Sequence, residues 1–333
     1  MKTIDFLYKK IVRPIAFKIG PETVHDMAIL KFKIASNFNF FKKIVSNYFT
    51  VNSPISISGL NFKNPIGLAA GFDKNGEAYD FLKCLGFGFI EIGSVTLKPQ
   101  KGNPKPRLWR IPEEEALINH FGLNNIGAYE VLRNIEKKGK EDIVLGINIA
   151  KNNDTEFETA HKNISECFKI LKDAGDFFVI NISCPNVKGF TEGLKDYSKK
   201  IIESVKEIDD KKILFIKISP DISDDDLKDI SELCEKTKTG IVASNTTKRK
   251  DLIKTRAFDS IEGGLSGKPL GKLNLQTIEK IRSFAPTTPI ISSGGIFDKN
   301  DIELRKKAGA NLFEIYTSFI YEGPLQVRNL LGQ

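Results

Sequence analysis

Three observations predict an α/β protein, a (β/α)8 TIM barrel with an N-terminal two-helix extension. Eight short apolar runs recur between residue 64 and the end of this 333-residue chain. Helix-length segments separate them, several at a spacing of about 30 residues, the length of one βαβ unit. Nearly every run ends in polar residues or glycine, as the C-terminal ends of barrel strands do.

The extension comes first. Ile4, Leu7, Tyr8, Ile11, Val12 and Ile15 recur at helical spacing and predict one apolar helix face. Gly20 followed by Pro21 reads as a helix stop and a new start. Val24, Met27, Ala28 and Ala35 continue a second helix, and Phe38, Phe40, Phe41 and Phe49 follow it. Nine Lys/Arg against Asp5, Glu22 and Asp26 give residues 1–50 a charge of +6, while the other 283 residues carry +2. Nine of the 32 aromatic residues fall in the same segment. A segment both basic and apolar points to a membrane surface or a nucleic acid, against the blander reading of a solvated helix face. No run of 18 apolar residues is present, so no bilayer span is expected. Lys9 and Lys10 interrupt the apolar stretch that a signal peptide needs. The change of character divides the chain into an extension, 1–50, and a catalytic barrel, 51–333.

The barrel strands are expected at 65–70, 88–95, 143–149, 177–183, 213–219, 240–245, 289–293 and 312–317. Their continuous apolar character suits parallel strands covered on both faces. The longer gap from 96 to 142 contains the Pro-rich segment Lys98–Pro106, an insertion over the barrel mouth or an ordered loop. Asp224-Asp-Asp226 reads as acids on the first turn of a helix rather than as a metal site. Four cysteines without ligand spacing and three histidines predict neither a metal site nor a disulfide framework, hence a reducing compartment.

The polar strand ends form a set. Strand four runs into Asn181-Ile-Ser-Cys-Pro-Asn186, where Pro185 stops the ladder. Its carboxamides suit a planar heterocycle, and a thiol titrates near neutrality when its surroundings lower its pKa. Strand one ends at Ala70 with Lys74 just beyond, strand two at Ser94, and strand three holds Asn148. Strand six ends Ser244-Asn-Thr-Thr247, strand seven Ser293-Gly-Gly295, and strand eight Tyr316-Thr-Ser318. Lys217 lies inside the apolar strand Leu214–Ile218, so an anion is expected to neutralise it, either a bound cofactor or a buried ion pair. Gly294-Gly295 and the Gly-rich loop Gly263-Gly-Leu-Ser-Gly267 would let backbone amides approach a phosphate.

These motifs together resemble the dihydroorotate dehydrogenases: Asn64–Lys74, Ile118–Asn125, Asn181–Asn186, Ser244–Thr247, Gly263–Gly267 and Glu314–Thr317. The N-terminal helices with Pro21-Glu-Thr-Val-His25, and Lys98–Arg110, are closest to the class 2, quinone-linked, membrane-associated branch. The resemblance implies one FMN per chain, held by Ala70, Lys74, Ser94, Asn148, Asn181, Lys217, Ser244, Gly267, Gly295, Tyr316 and Thr317. It places substrate contacts on Lys74, Asn119, Phe121, Gly122, Asn181, Asn186, Asn245 and Thr246. It makes Cys184 the general base, at a position where class 2 members carry Ser and class 1 members Cys. Leu123 stands where a Phe is usual, Ser94 and Ser244 where Thr is common, and residues 189–196 are short and lack the usual Arg.

The implied reaction oxidises dihydroorotate to orotate in pyrimidine biosynthesis, with ubiquinone or menaquinone as acceptor. The quinone would enter between the N-terminal helices and meet His25, Arg110 and Tyr316. The expected setting is peripheral, on the cytoplasmic side of a cell inner membrane, as a monomer or weak dimer without nucleic acid; a mitochondrial inner membrane is the less expected alternative, since residues 1–50 do not read as a transit peptide. The competing readings are a soluble class 1-like enzyme using fumarate or NAD, and a non-catalytic basic barrel that binds membrane or nucleic acid.

Overall fold

A computed structural model describes residues 2–139, 141–182 and 193–333. Cys184 and Asn186 lie outside the described residues. Eight parallel strands close a barrel: Ile66–Leu68, Phe89–Val95, Val144–Ile149, Phe177–Asn181, Ile213–Ile218, Gly240–Ala243, Ile290–Ser293 and Leu312–Ile315. They pair in sequence order, and the eighth returns to the first through Phe313 opposite Ile66. Each falls within a run expected from the sequence.

Period-2 alternation builds the interior in layers. The lower layer is apolar: Phe89, Phe177, Val179, Phe215, Val242, Ile291 and Leu312 pack together. Glycines on neighbouring strands make the room. A Cβ on Gly67, Gly146 or Gly240 would stand 2.2 Å from the ring of Phe89, Phe177 or Phe215 respectively. A hairpin of Ile55–Ile57 and Leu60–Phe62 closes this end, with Phe62 edge-on to Phe89. Two residues further along the strands, toward their C-terminal ends, the layer turns polar: Glu91, Asn148, Asn181, Lys217, Ser244, Ser293 and Glu314.

The 96–142 insertion is ordered. Leu108–Ile111 and Ala116–Asn119 form a hairpin, and Gly264–Gly267 pairs antiparallel with its second strand. The segment expected as a Gly-rich loop is therefore largely a sheet strand. Asp224–Asp226 open the helix Asp224–Thr237, whose N-cap Ser223 accepts from the Asp226 amide at 3.1 Å. This is the first-turn placement expected for them.

The extension holds three helices rather than two. Lys2–Phe17 is continuous, with a π turn at Tyr8–Val12; Pro21–Ala35 follows with Pro21 at its first position, then Asn39–Phe49. The Phe-rich stretch after residue 37 is thus a helix of its own. It docks on the barrel through Phe49, which is buried, and Phe41, which stacks on Phe81.

The first helix is turned the opposite way from a helix on a water-soluble core. Its polar side faces the protein: the Tyr8 hydroxyl donates to the Ile320 carbonyl at 2.6 Å, Arg13 to the Tyr321 carbonyl at 2.7 Å, and Lys9 pairs with Glu322 at 2.6 Å. Leu7, Ile11, Val12 and Ile15 face outward instead of into a core. Met27, Leu30 and Ile34 do the same on the second helix, and Phe40 and Ile44 on the third. Among the described residues, 14 of the 17 exposed large hydrophobic side chains belong to residues 1–50. No described helix is long and apolar enough to cross a membrane.

Candidate active site

The C-terminal ends of the strands open into a cavity of about 790 Å³. Every expected cofactor residue lines it, from Ala70 and Lys74 to Tyr316 and Thr317. So do the expected substrate residues Asn119, Phe121, Gly122, Asn245 and Thr246. The ends of all eight strands, the 108–119 hairpin and the Gly264–Gly267 strand contribute, although these residues lie from Ala70 to Thr317 in the sequence.

Hydrogen bonds hold the set in place. Asn245 donates to the Asn181 side-chain oxygen at 3.0 Å, and Asn181 donates to the Ser94 hydroxyl at 3.2 Å. Ser266 and Thr317 share a hydroxyl contact at 2.9 Å beside Gly267. Lys74 follows a tight turn made by Asp73, whose carboxylate accepts from the Glu77 and Ala78 amides at 2.8 Å each. Its ammonium then lies 3.9 Å from the centre of the Phe121 ring. Burial lowers the Lys74 pKa to about 8; Glu22 opposes that shift and Arg107 adds to it. The group remains mostly charged at neutral pH and faces the cavity.

Lys217 is neutralised by protein. Its ammonium stands 3.4 Å from Glu91 and 3.4 Å from Glu314, all three side chains at 5% exposure or less. Of the two possibilities left by the sequence, the buried ion pair is present, and it has two acids rather than one. Neither acid was singled out from the sequence. Both carry the signal that marks Lys217, a charge inside an apolar strand, and each stands two residues beyond an inward apolar residue, Phe89 for Glu91 and Leu312 for Glu314.

The expected quinone residues do not all meet. His25 packs edge-on to Phe72 at 5.2 Å, and Phe72 packs on Tyr316 at 5.5 Å, so a short aromatic path joins the second helix to the cavity. Arg110 is engaged elsewhere. It donates to the Ile19 carbonyl at 2.8 Å and lies over the Phe17 ring, tying down the end of the first helix. Burial, with a smaller contribution from Lys74, pulls the His25 pKa down from 6.5 to about 3, so its imidazole is neutral.

Three buried polar atoms at the cavity have no hydrogen-bond partner among the described residues: Asn148 Oδ1, Glu314 Oε1 and Ser318 Oγ. Such atoms are costly without a ligand or water. Gly295 closes the opposite wall with φ +68°, and a Cβ there would meet the Gly271 backbone at 2.3 Å. The wall is bare backbone, the kind of surface a phosphate can approach.

The sequence profile described as "Dihydroorotate dehydrogenase" matches residues 53–333. The chain belongs to the dihydroorotate dehydrogenase family. A relative from Aliivibrio fischeri (strain MJ11) named "Dihydroorotate dehydrogenase (quinone)" is 37% identical, covering 97% of this chain and 98% of its own. One of the same name from Coxiella burnetii (strain Dugway 5J108-111) is 38% identical, with 97% and 95% covered. The crystal structure of ligand-free DHODH from Eimeria tenella superposes with a TM-score of 0.79 at 32% identity, covering 93% of this chain and 92% of that one. The matches to whole quinone-type relatives extend through the N-terminal helices, which the family profile leaves out.

Proposed function

We propose that this chain oxidises dihydroorotate to orotate and delivers the electrons to a quinone, as a peripheral membrane enzyme of pyrimidine biosynthesis. The observation that carries the acceptor assignment is the reversed first helix. Its hydrogen-bonding side is spent on the protein and its apolar side is presented outward, which suits a lipid surface and not water. Nine basic residues in the same 50 positions suit anionic headgroups. The quinone would enter among these helices and approach the cavity along His25, Phe72 and Tyr316, with Arg110 holding the end of the first helix. Residues 1–50 form the membrane and quinone unit, and 51–333 the catalytic barrel.

The cavity residues fit FMN. The volume suits a cofactor with a substrate beside it, the orphaned Asn148, Glu314 and Ser318 atoms await polar partners, and the Gly295 wall suits the phosphate. Bound there, FMN would accept the hydride that the substrate loses. The chain itself orients and takes the proton. Lys74 binds the substrate carboxylate by charge. Asn119, Asn181, Asn186 and Asn245, with Thr246, offer donors and acceptors to the two amide edges of the ring. Cys184 removes a proton from the ring carbon next to the one that loses hydride, and a double bond forms between the two carbons. The other three cysteines are buried with their thiol pKa values pushed up by that burial, so they are unsuited to this role.

The experiment is orotate formation from dihydroorotate with ubiquinone, menaquinone, fumarate and NAD offered separately. Quinone-dependent turnover, stimulated by detergent or phospholipid, supports the proposal. Turnover with fumarate or NAD at equal rate, indifferent to lipid, contradicts the acceptor assignment.

A further inference from the structure

The cavity floor holds two carboxylates and one ammonium. Lys217 lies at 3.4 Å from an oxygen of each acid, so Glu91 and Glu314 share one ammonium. Two acids that share a single ammonium, all three buried, leave room for only one negative charge unless the second acid carries a proton. The charge count agrees: fully ionised, the floor would bury one uncompensated negative charge, which a dry site does not tolerate.

The two acids are not equivalent. Glu91 accepts from Asn148 Nδ2 at 2.5 Å and faces Lys217 with both oxygens, so it is the better place for the negative charge. Glu314 offers Lys217 only Oε2, and its Oε1 is buried at the cavity wall with no partner among the described residues. No other ionisable group on the flanking strands faces it: strand one presents Gly67 and strand seven Ser293. Tyr316, two residues on, is driven further into its neutral form by burial. Lys74 stands at the far rim, against Phe121.

We propose that Glu314 is a positioning residue that carries the proton of a Glu91–Glu314 pair, so that Lys217 and Glu91 cancel and the floor beneath the ligand is electroneutral. A carboxyl held neutral can donate to Glu91 or to a ligand acceptor, whereas a carboxylate there would repel one. Burial and the neighbouring Glu91 charge both push the Glu314 pKa up, and Lys217 only partly opposes them.

The test has two arms. The first is infrared spectroscopy of the wild-type protein, cofactor bound and removed, with carbon-13-labelled glutamate. A protonated carboxyl band at pH 7 that shifts with the label and disappears in Glu314→Gln is expected. Absence of any labelled-Glu protonated band at pH 7 in the wild type overturns the proposal, even if the variant fails to fold. The second arm rests on the FMN reading and compares FMN dissociation constants of wild type and Glu314→Gln across pH. Near-equal constants at pH 7, with any gain for the variant confined to alkaline pH, are expected. A variant that binds about tenfold tighter already at pH 7, by about the same factor at every pH, would show that wild-type Glu314 is ionised. A protein that binds no FMN at all would sink the functional reading while leaving the infrared arm to decide this one.

Discussion

The barrel and the N-terminal extension solve opposite problems. The barrel buries Lys217 between Glu91 and Glu314 at the base of its cavity and lays apolar side chains beneath and around them. The extension turns its apolar side chains outward and uses polar ones to hold on. Tyr8, Lys9 and Arg13 grip the segment 320–322, Glu22 grips Arg107, and Ser36 donates to the buried Asp80. A barrel-like region buries its apolar side chains in a core of its own, as an aqueous setting requires. A region built like the extension is matched to a nonaqueous neighbour. The difference assigns substrate chemistry to one region and acceptor delivery to the other, and each assignment can be broken separately.

The largest effect expected is on the barrel side. Cys184→Ala should slow flavin bleaching by dihydroorotate about 10²–10⁴-fold, the usual worth of a general base, while quinone re-oxidation is unaffected. Stopped-flow absorbance separates the two half-reactions. An Ala variant that bleaches at the wild-type rate would give the proton to another group. Cys184→Ser should bleach more slowly than wild type, most strongly below neutral pH, because a hydroxyl ionises far less readily than a thiol.

Next is Lys217→Ala. Removing the one cation from between two buried acids should cost about 3–5 kcal/mol of stability, with loss of FMN. Calorimetry and cofactor content read both. Normal melting with lost flavin would return Lys217 to a purely ligand-binding role.

Smaller effects test the seam between the regions. Arg107 donates to the Glu22 carboxylate at 2.9 Å and also to the Lys101 and Asn103 carbonyls, so it joins the second helix to the insertion that carries Phe121. Glu22→Ala should cost about 1–3 kcal/mol and raise the KM for dihydroorotate more than it lowers kcat. An unchanged KM would show that the two regions do not communicate through this contact.

The remaining effect is a pH dependence. His25 is neutral in the fold, with its pKa pulled to about 3 by burial first and Lys74 second. The unfolded chain takes up that proton near pH 6.5, the folded one only near 3. Its contribution is therefore full above about 6.5 and is lost progressively as pH falls toward 3. Thermal unfolding from pH 7 to 4 should show this slope in the wild type and lose it in His25→Phe. Parallel curves would contradict the assignment.

What the sequence showed follows the same division. All eight barrel strands were legible because parallel strands covered on both faces leave continuous apolar runs. The hairpin at 55–62 and the sheet of 108–111, 116–119 and 264–267 were not. Their short strands each include a polar residue or glycine and so break the apolar run, and Gly264–Gly267 takes its strand form from a partner nearly 150 positions away. The third helix escaped notice because Phe38, its N-cap residue, makes no side-chain cap. The apolar face of the first helix was legible, but its direction was not. Outward and inward faces share one periodicity, and only the grip of Tyr8 and Arg13 on the 320–321 carbonyls distinguishes them. The site residues were found because nearly all sit at strand ends. Glu91 and Glu314 were passed over because each was read alone, within an apolar run, without the lysine that a third strand brings between them.

The central claim is that acceptor delivery resides in the extension and substrate oxidation in the barrel. The direct test removes residues 1–38, sparing the helix Asn39–Phe49 that covers Phe81, and follows both half-reactions in one stopped-flow experiment. Dihydroorotate should bleach the flavin of the truncated protein at close to the wild-type rate, while re-oxidation by a long-chain quinone in vesicles should be lost. Re-oxidation at the wild-type rate in the truncated protein would contradict the account.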